Sequence, residues 1–278
     1  MLLSMVLTLA ISSAPGATPE SGDATAGARG VPPNYHLVWS DDFNTPGLPD
    51  PAKWSYQTSG NAKLWWHNER QYYTARRPEN ARVSGGNLLI TVRHESLPGA
   101  PGWVGQEFTS AKLATADTRT WTYGFFDVRA KLPCGRGVWP ALWLMSATGR
   151  WPNDGEIDFM EAVGFESPPV AHATLHNAHE GKDVPASGST KVPDACTAFH
   201  DYQLDWRPDS ITALVDGRPY FHQQRGNAGY DRWPYNHPFY LILNVAVGGA
   251  WGALKGIDPS VLPQSMEIDY VRVYQPIP

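Results

Sequence analysis

The stretch Trp121-Thr122-Tyr123-Gly124-Phe125-Phe126-Asp127-Val128-Arg129-Ala130-Lys131-Leu132 sets Phe126, Val128, Ala130 and Leu132 on one face and Asp127, Arg129 and Lys131 on the other. A period of two marks a strand with one face buried and one in water. Shorter runs of the same kind recur at Leu88 to Val92, Tyr202 to Trp206, Ile211 to Val215, Tyr240 to Val247 and Met266 to Tyr274. Asp216-Gly217, directly after Val215, marks a hairpin turn. No segment sustains a 3.6-residue apolar period, and no repeat is present. With 26 Gly and 25 Pro punctuating many short runs, the expectation is all-β, a β-sandwich or jelly roll. The last run, ending at Tyr274, is expected to pair near the first, around Leu37 to Phe43.

The chain has 278 residues, of which 42% are hydrophobic, enough for one large core or two modest ones. Its net charge is only −5 and it holds no basic run. The electrostatic footprint of a nucleic-acid or anionic-membrane binder is therefore absent. Met1 to Ile11 is a short apolar run ending in Ser12-Ser13-Ala14, which reads as a secretory signal over residues 1–14 and implies a secreted or periplasmic protein. Residues 15–33, rich in Gly, Ala, Ser and Pro, read as a flexible leader, and residues 34–278 as a single domain. Two cysteines, Cys134 and Cys196, exclude a cysteine-based structural zinc site. In an exported protein they would pair as one disulfide; two separate buried thiols are the other reading.

The segment Glu156-Ile157-Asp158-Phe159-Met160-Glu161 places three carboxylates in an apolar run. In a regular strand Glu156, Asp158 and Met160 would share one face, driving Glu161 into the core. A β-bulge between Asp158 and Glu161 returns Glu161 to the polar face and gives Phe159 and Met160 to the core. Two glutamates on one face meet the two-carboxylate requirement of glycoside hydrolysis, in which the carboxyl groups of a retaining enzyme stand about 5 to 5.5 Å apart. An aspartate between them holds negative charge nearby and keeps a proton in the group. A calcium site or a solvated edge strand is the competing reading of such a cluster. The 12 Trp and 12 Tyr, with Trp139, Trp143 and Trp151 close before the carboxylates and Trp65-Trp66 in a separate loop, favour a cleft whose aromatic faces stack on sugar rings.

On these residues the chain resembles glycoside hydrolase family 16, within it the laminarinase-like endo-β-1,3-glucanases. The resemblance runs from Val38-Trp39-Ser40-Asp41-Asp42-Phe43 and Asn68-Glu69-Arg70-Gln71-Tyr72-Tyr73-Thr74 to Tyr123 to Pro133 and Gly137-Val138-Trp139-Pro140-Ala141-Leu142-Trp143. It ends with Leu243 to Gly249 and Ile268 to Tyr274. It implies a jelly roll with a concave substrate cleft and a retaining mechanism, with Glu156 as nucleophile, Asp158 as helper and Glu161 as acid/base. The bulged spacing is shared by the family's laminarinases, agarases and carrageenases.

The resemblance further implies sugar contacts from Trp143, Trp151 and His176, and from Trp66, Asn68, Arg129, Trp139, Asn244 and Trp251. It implies no cofactor for catalysis, and a structural calcium held by the Asp42 and Asp269 side chains with a backbone carbonyl near Gly86, hard oxygen ligands of the kind calcium takes. The expected partner is a β-glucan polysaccharide, with no nucleic acid and no membrane, and the expected state is a monomer. Competing functions are a galactan hydrolase of the agar or carrageenan type, a glucan transferase and a non-catalytic glucan-binding protein. Intact Glu156 and Glu161 argue against the last, and the lack of a basic cluster against the first.

Overall fold

The computed structural model describes residues 29–277. The signal read over residues 1–14 and most of the leader lie outside them. Every run expected from alternation forms a strand: Asn87–His94, Gly124–Lys131, His200–Trp206, Ser210–Val215, Phe239–Val247 and Gln264–Pro276. Val215 pairs with Arg218 across Asp216 and Gly217, whose φ angles are 51° and 74°. Both central residues are left-handed, as the tightest hairpin turns require. The strand Tyr35–Asp41 pairs antiparallel with Gln264–Pro276, as expected.

The strands build two packed sheets. The larger, ten-stranded sheet runs Arg218–Gln224, Ser210–Val215, His200–Trp206, Gly124–Lys131, Gln264–Pro276, Asn87–His94, Phe108–Ser110, Gln71–Tyr73, with Tyr35–Asp41 and Ala81–Ser84 pairing off that path. The seven-stranded sheet runs Ala186–Lys191, Val170–His176, Glu156–Glu161, Val138–Ser146, Phe239–Val247, Lys112–Ala114, Ser55–Tyr56. Between Phe108–Ser110 and Lys112–Ala114 the chain passes from one sheet to the other at the fully buried Ala111. Inward-facing side chains of both sheets, among them Leu88, Ile90, Phe126, Val128, Leu142, Leu144, Ile157, Leu204 and Val245, form one continuous core. The other face of the seven-stranded sheet is thereby left to carry the site. No helix among the described residues is long and apolar enough to cross a membrane.

Two expectations change. The described end of the leader, from Arg29, is seated on the larger sheet: Gln203 donates to the Arg29 carbonyl, and Gly30, at φ 84°, packs where a β-carbon would stand 3.5 Å from Phe125. Second, the calcium ligands are otherwise engaged. Asp42 accepts hydrogen bonds of 2.9 and 2.7 Å from the Arg272 guanidinium, and Asp269 pairs with Arg129 at 3.2 Å. Each carboxylate is already neutralised by an arginine, so the expected donor set does not fit a calcium ion as arranged.

Cys134 and Cys196 are joined as a disulfide, with Cα atoms 5.8 Å apart and a sequence separation of 62. They tie the ends of the neighbouring strands Gly124–Lys131 and His200–Trp206, beside the backbone bond from Leu132 to the Ala195 carbonyl. Closing a loop of this length removes chain entropy worth about 4 kcal/mol from the unfolded state. Cys134→Ser with Cys196→Ser is therefore expected to lower the unfolding free energy by up to about 4 kcal/mol in urea titration while leaving the folded cleft intact. An unchanged midpoint would show that the bridge adds nothing to the sheet.

Candidate active site

Gly155 opens the carboxylate strand. Its φ is 81°, and a β-carbon there would meet the Tyr235 ring at 2.9 Å, so only glycine lets the chain turn under Tyr235 into Glu156. Glu156, Ile157 and Asp158 pair in register with Met145, Leu144 and Trp143 on one side and with His176, Leu175 and Thr174 on the other. The ladder then slips by one: Met160 faces Leu142, and Glu161 faces Ala141 and His172. The expected bulge is present, with Phe159 as the extra residue on the Val138–Ser146 side. Ile157, Phe159 and Met160 are all fully buried. Each such side chain contributes roughly 1.5–3 kcal/mol, against about 1 kcal/mol for a ladder bond lost at the bulge. Core packing therefore fixes the bulge, and the bulge puts Glu161 on the open face with Glu156 and Asp158.

That face forms a cleft of about 520 Å³. Its floor is cross-linked. Trp143 Nε1 donates to Asn244 Oδ1 at 2.7 Å, and Asn244 Nδ2 donates to the Tyr73 hydroxyl at 3.0 Å. Trp139 Nε1 donates to Glu161 Oε1 at 3.0 Å, and its ring meets the edge of Trp251 at 5.4 Å. At the rim, Trp66 and Trp151 lie 5.4 Å apart and are exposed by 71% and 37%. The loop bearing Trp151 is anchored by the fully buried Asp154, which takes two 2.9 Å bonds from Arg150 and one of 3.0 Å from the Tyr230 hydroxyl. Rigid apolar walls with a few polar groups converging on one point are the usual make-up of a binding site.

Of the residues expected to contact sugar, Trp66, Trp139, Trp143, Trp151, His176, Asn244 and Trp251 line this cleft. Asn68 does not; it sits exposed in a left-handed turn at φ 56°, while its neighbours His67 and Glu69 face the cleft. Arg129 is also corrected. It projects from the larger sheet, paired with Asp201 and Asp269 at 3.2 Å each and stacked on Phe199. Alternation placed it on a polar face, but that face belongs to the wrong sheet. The cleft also holds residues no motif announced. Lys112 is buried with its ammonium 4.5 Å from the Trp65 ring centre and 4.6 Å from that of Trp143. Burial pulls Lys112 down to about 8, against the pull of Glu69 and Glu156. Glu69 itself is raised by burial.

Crowding sets the protonation of the carboxylates. Burial and then the charge of Asp158 raise Glu156 well above the usual carboxylate range, and the same two causes raise Glu161 to about 8. The counter-charge is His176, whose Nε2 lies 3.3 Å from Asp158 Oδ2, off the line of a well-formed hydrogen bond, and 4.0 Å from Glu156 Oε1. Burial opposes its charge, but Asp158, Glu156 and Asp183 outweigh that and raise it to about 10. Ligand-type atoms of Glu156, Asp158 and His176 lie within 4.8 Å of one another. His176 and the carboxylates balance one another's charge, so the trio acts as a charge-compensated acid cluster.

Paired glutamates around an aspartate, on the floor of an aromatic cleft, define a two-carboxylate carbohydrate hydrolase. The family described as "Glycosyl hydrolases family 16" matches residues 68–272, and the chain belongs to it. It is 46% identical over 255 residues to a beta-glucanase of Rhodothermus marinus, covering 87% of this chain and 86% of that protein. Among solved structures it is similar to SCLam, a non-specific endo-beta-1,3(4)-glucanase, at 46% identity with a TM-score of 0.85, covering 89% and 93% of the two chains. It is also similar to the laminarinase from Rhodothermus marinus, at 43% identity with a TM-score of 0.81, covering 88% and 98%. The chain spans 56%, 38% and 34% of the length of three longer curated relatives.

The raised carboxyl of Glu161 has a consequence for stability. Its folded value, about 8, exceeds the ordinary 4.5, so the folded state binds this proton more tightly than the unfolded chain does. The associated stability is complete below about 4.5 and is lost as pH rises through about 8. Glu161→Gln, which cannot ionise, is expected to raise the melting temperature by more near pH 8 than near pH 5. Equal shifts at both pH values in parallel thermal melts would show that the carboxyl is not held protonated.

Proposed function

We infer that the protein is a secreted, endo-acting hydrolase of β-1,3-glucan that works by double displacement. The observation that carries this reading is the bulge at Phe159, which sets Glu156 and Glu161 on the same open face with Asp158 between them. Similarity to a beta-glucanase, an endo-beta-1,3(4)-glucanase and a laminarinase supports the substrate class.

In this reading Glu161, held protonated by its surroundings, gives its proton to the glycosidic oxygen as the carboxylate of Glu156 attacks the anomeric carbon. The leaving chain departs with that proton, and a glycosyl ester forms on Glu156. Glu161, now ionised, takes a proton from water, whose oxygen attacks the same carbon and releases Glu156 with retained configuration. The positive charge of His176, 4.0 Å from Glu156, opposes the rise of both glutamates and so helps Glu156 reach the carboxylate form that attacks. Trp139, by donating to Glu161 Oε1, holds the acid in one orientation. Trp66 and Trp151 offer stacking faces for rings farther along the chain. Export is supported by the apolar start of the sequence and by the Cys134–Cys196 bond, which persists in oxidising compartments.

The test is product analysis on laminarin, mixed-linkage β-glucan, agarose and κ-carrageenan, with Glu156→Ala as control. Laminarin is expected to be cut to short oligosaccharides by the native protein, while the variant loses turnover and still binds laminari-oligosaccharides in calorimetry. Cleavage of the galactans alone, or an active variant, would overturn the reading.

A further inference from the structure

The hairpin of Ala178–His179 and Lys182–Asp183 belongs to neither large sheet. Its turn residues Glu180 and Gly181 both have left-handed backbone, at φ 52° and 74°, which folds the chain back tightly and pairs Asp183 with Ala178. Asp183 thereby returns to the end of the strand Val170–His176. Its Oδ2 lies 2.8 Å from Nδ1 of His176, the ring whose other nitrogen faces Asp158 and Glu156.

We propose that Asp183 is a positioning residue of the reaction: by holding Nδ1–H it fixes the His176 ring so that Nε2–H is presented to Asp158 and Glu156, placing one positive charge beside the nucleophile. This rests on the catalytic roles inferred above for Glu156 and Asp158.

Every neighbour of the ring bears on this. Asp158 and Glu156 face it from the carboxylate strand, Asp183 from the hairpin, and the Trp151 ring from the preceding loop with centres 5.9 Å apart. Tyr235 donates to the His176 carbonyl at 2.9 Å and pins the backbone but not the ring. Glu161 and Lys112 act on the same carboxylates from farther away. Among the described residues Asp183 is the one hydrogen-bond partner of Nδ1, so it selects the ring orientation and favours a proton there. A carboxylate on the far nitrogen of a histidine fixes both its orientation and its charge, as in other sites where imidazole works against a second group. Asp183 also carries a cost that a mere turn residue would avoid, since its Oδ1 is buried with no hydrogen-bond partner among the described residues. Its side chain is only 24% exposed although it sits on a two-strand hairpin.

The closing experiment follows the His176 ring nitrogens by NMR across pH in the native protein, Asp183→Asn and Asp183→Glu, with laminarin kinetics on the same samples. Asparagine keeps the side-chain shape, and near-ultraviolet circular dichroism checks that the cleft is intact. The His176 midpoint is expected to fall by roughly one pH unit or more in Asp183→Asn. In that variant kcat is expected to drop about tenfold with KM little changed, and Asp183→Glu should recover part of both. A His176 midpoint unmoved in folded Asp183→Asn would overturn the proposal, and so would a loss confined to KM. If the native protein cleaves no glucan, the catalytic roles fail, while the His176 midpoint still decides whether Asp183 governs the ring.

Discussion

One extra residue in one strand governs this molecule. Phe159 has no partner in the neighbouring strand Val138–Ser146, and accommodating it changes the parity of everything after Asp158. Were the strand regular, Glu161 would be buried and Met160 exposed. With the extra residue, three apolar side chains enter the core and three carboxylates reach the open face. Function does not strain the fold here, because the packing preference of Phe159 and Met160 and the placement of Glu161 call for the same backbone geometry. A substitution that weakened the core at Phe159 would act on catalysis through register, with no contact to substrate.

The acid cluster is held together by compensation. Burial raises both glutamates, Asp158 raises them further, and His176 limits how far that goes. A site of this kind works against the folded state wherever its carboxyls are asked to ionise. The cost is offset by the sheet behind it, where Ile157, Phe159 and Met160 are sealed from water. The cleft floor is stiff for a related reason: Trp143, Asn244 and Tyr73 satisfy one another's polar atoms, so none of them has to move when water leaves.

Much of this was readable from residues. Period-two alternation locates the principal strands, and the parity conflict of Glu156 to Glu161 predicts the bulge. What alternation cannot say is which of two sheets a polar face belongs to, and Arg129 was misplaced for that reason. The Asp42–Arg272 pair joins residues 230 positions apart, so no local pattern could show that the expected calcium ligand was already engaged. Lys112 has an ordinary position in an unremarkable strand, and its importance comes from Trp65 and Trp143, which the fold brings over it. The strand Ala186–Lys191 and the hairpin bearing Asp183 hold no apolar residue larger than alanine and give no periodic signal. Asn68 shows the converse, since its motif was recognised but a left-handed turn aims its neighbours, and not Asn68, at the cleft.

The order of strands carries a consequence for how the chain comes into being. Gln264–Pro276, the last strand, lies in the interior of the larger sheet, with Gly124–Lys131 on one side and Asn87–His94 on the other, and Tyr35–Asp41 pairs with it as well. Three strands synthesised early thus wait for one synthesised much later. Contacts so distant in sequence form slowly, and the larger sheet cannot close until Gln264–Pro276 has been made. The earlier strands must remain open and shielded from aggregation until that strand emerges.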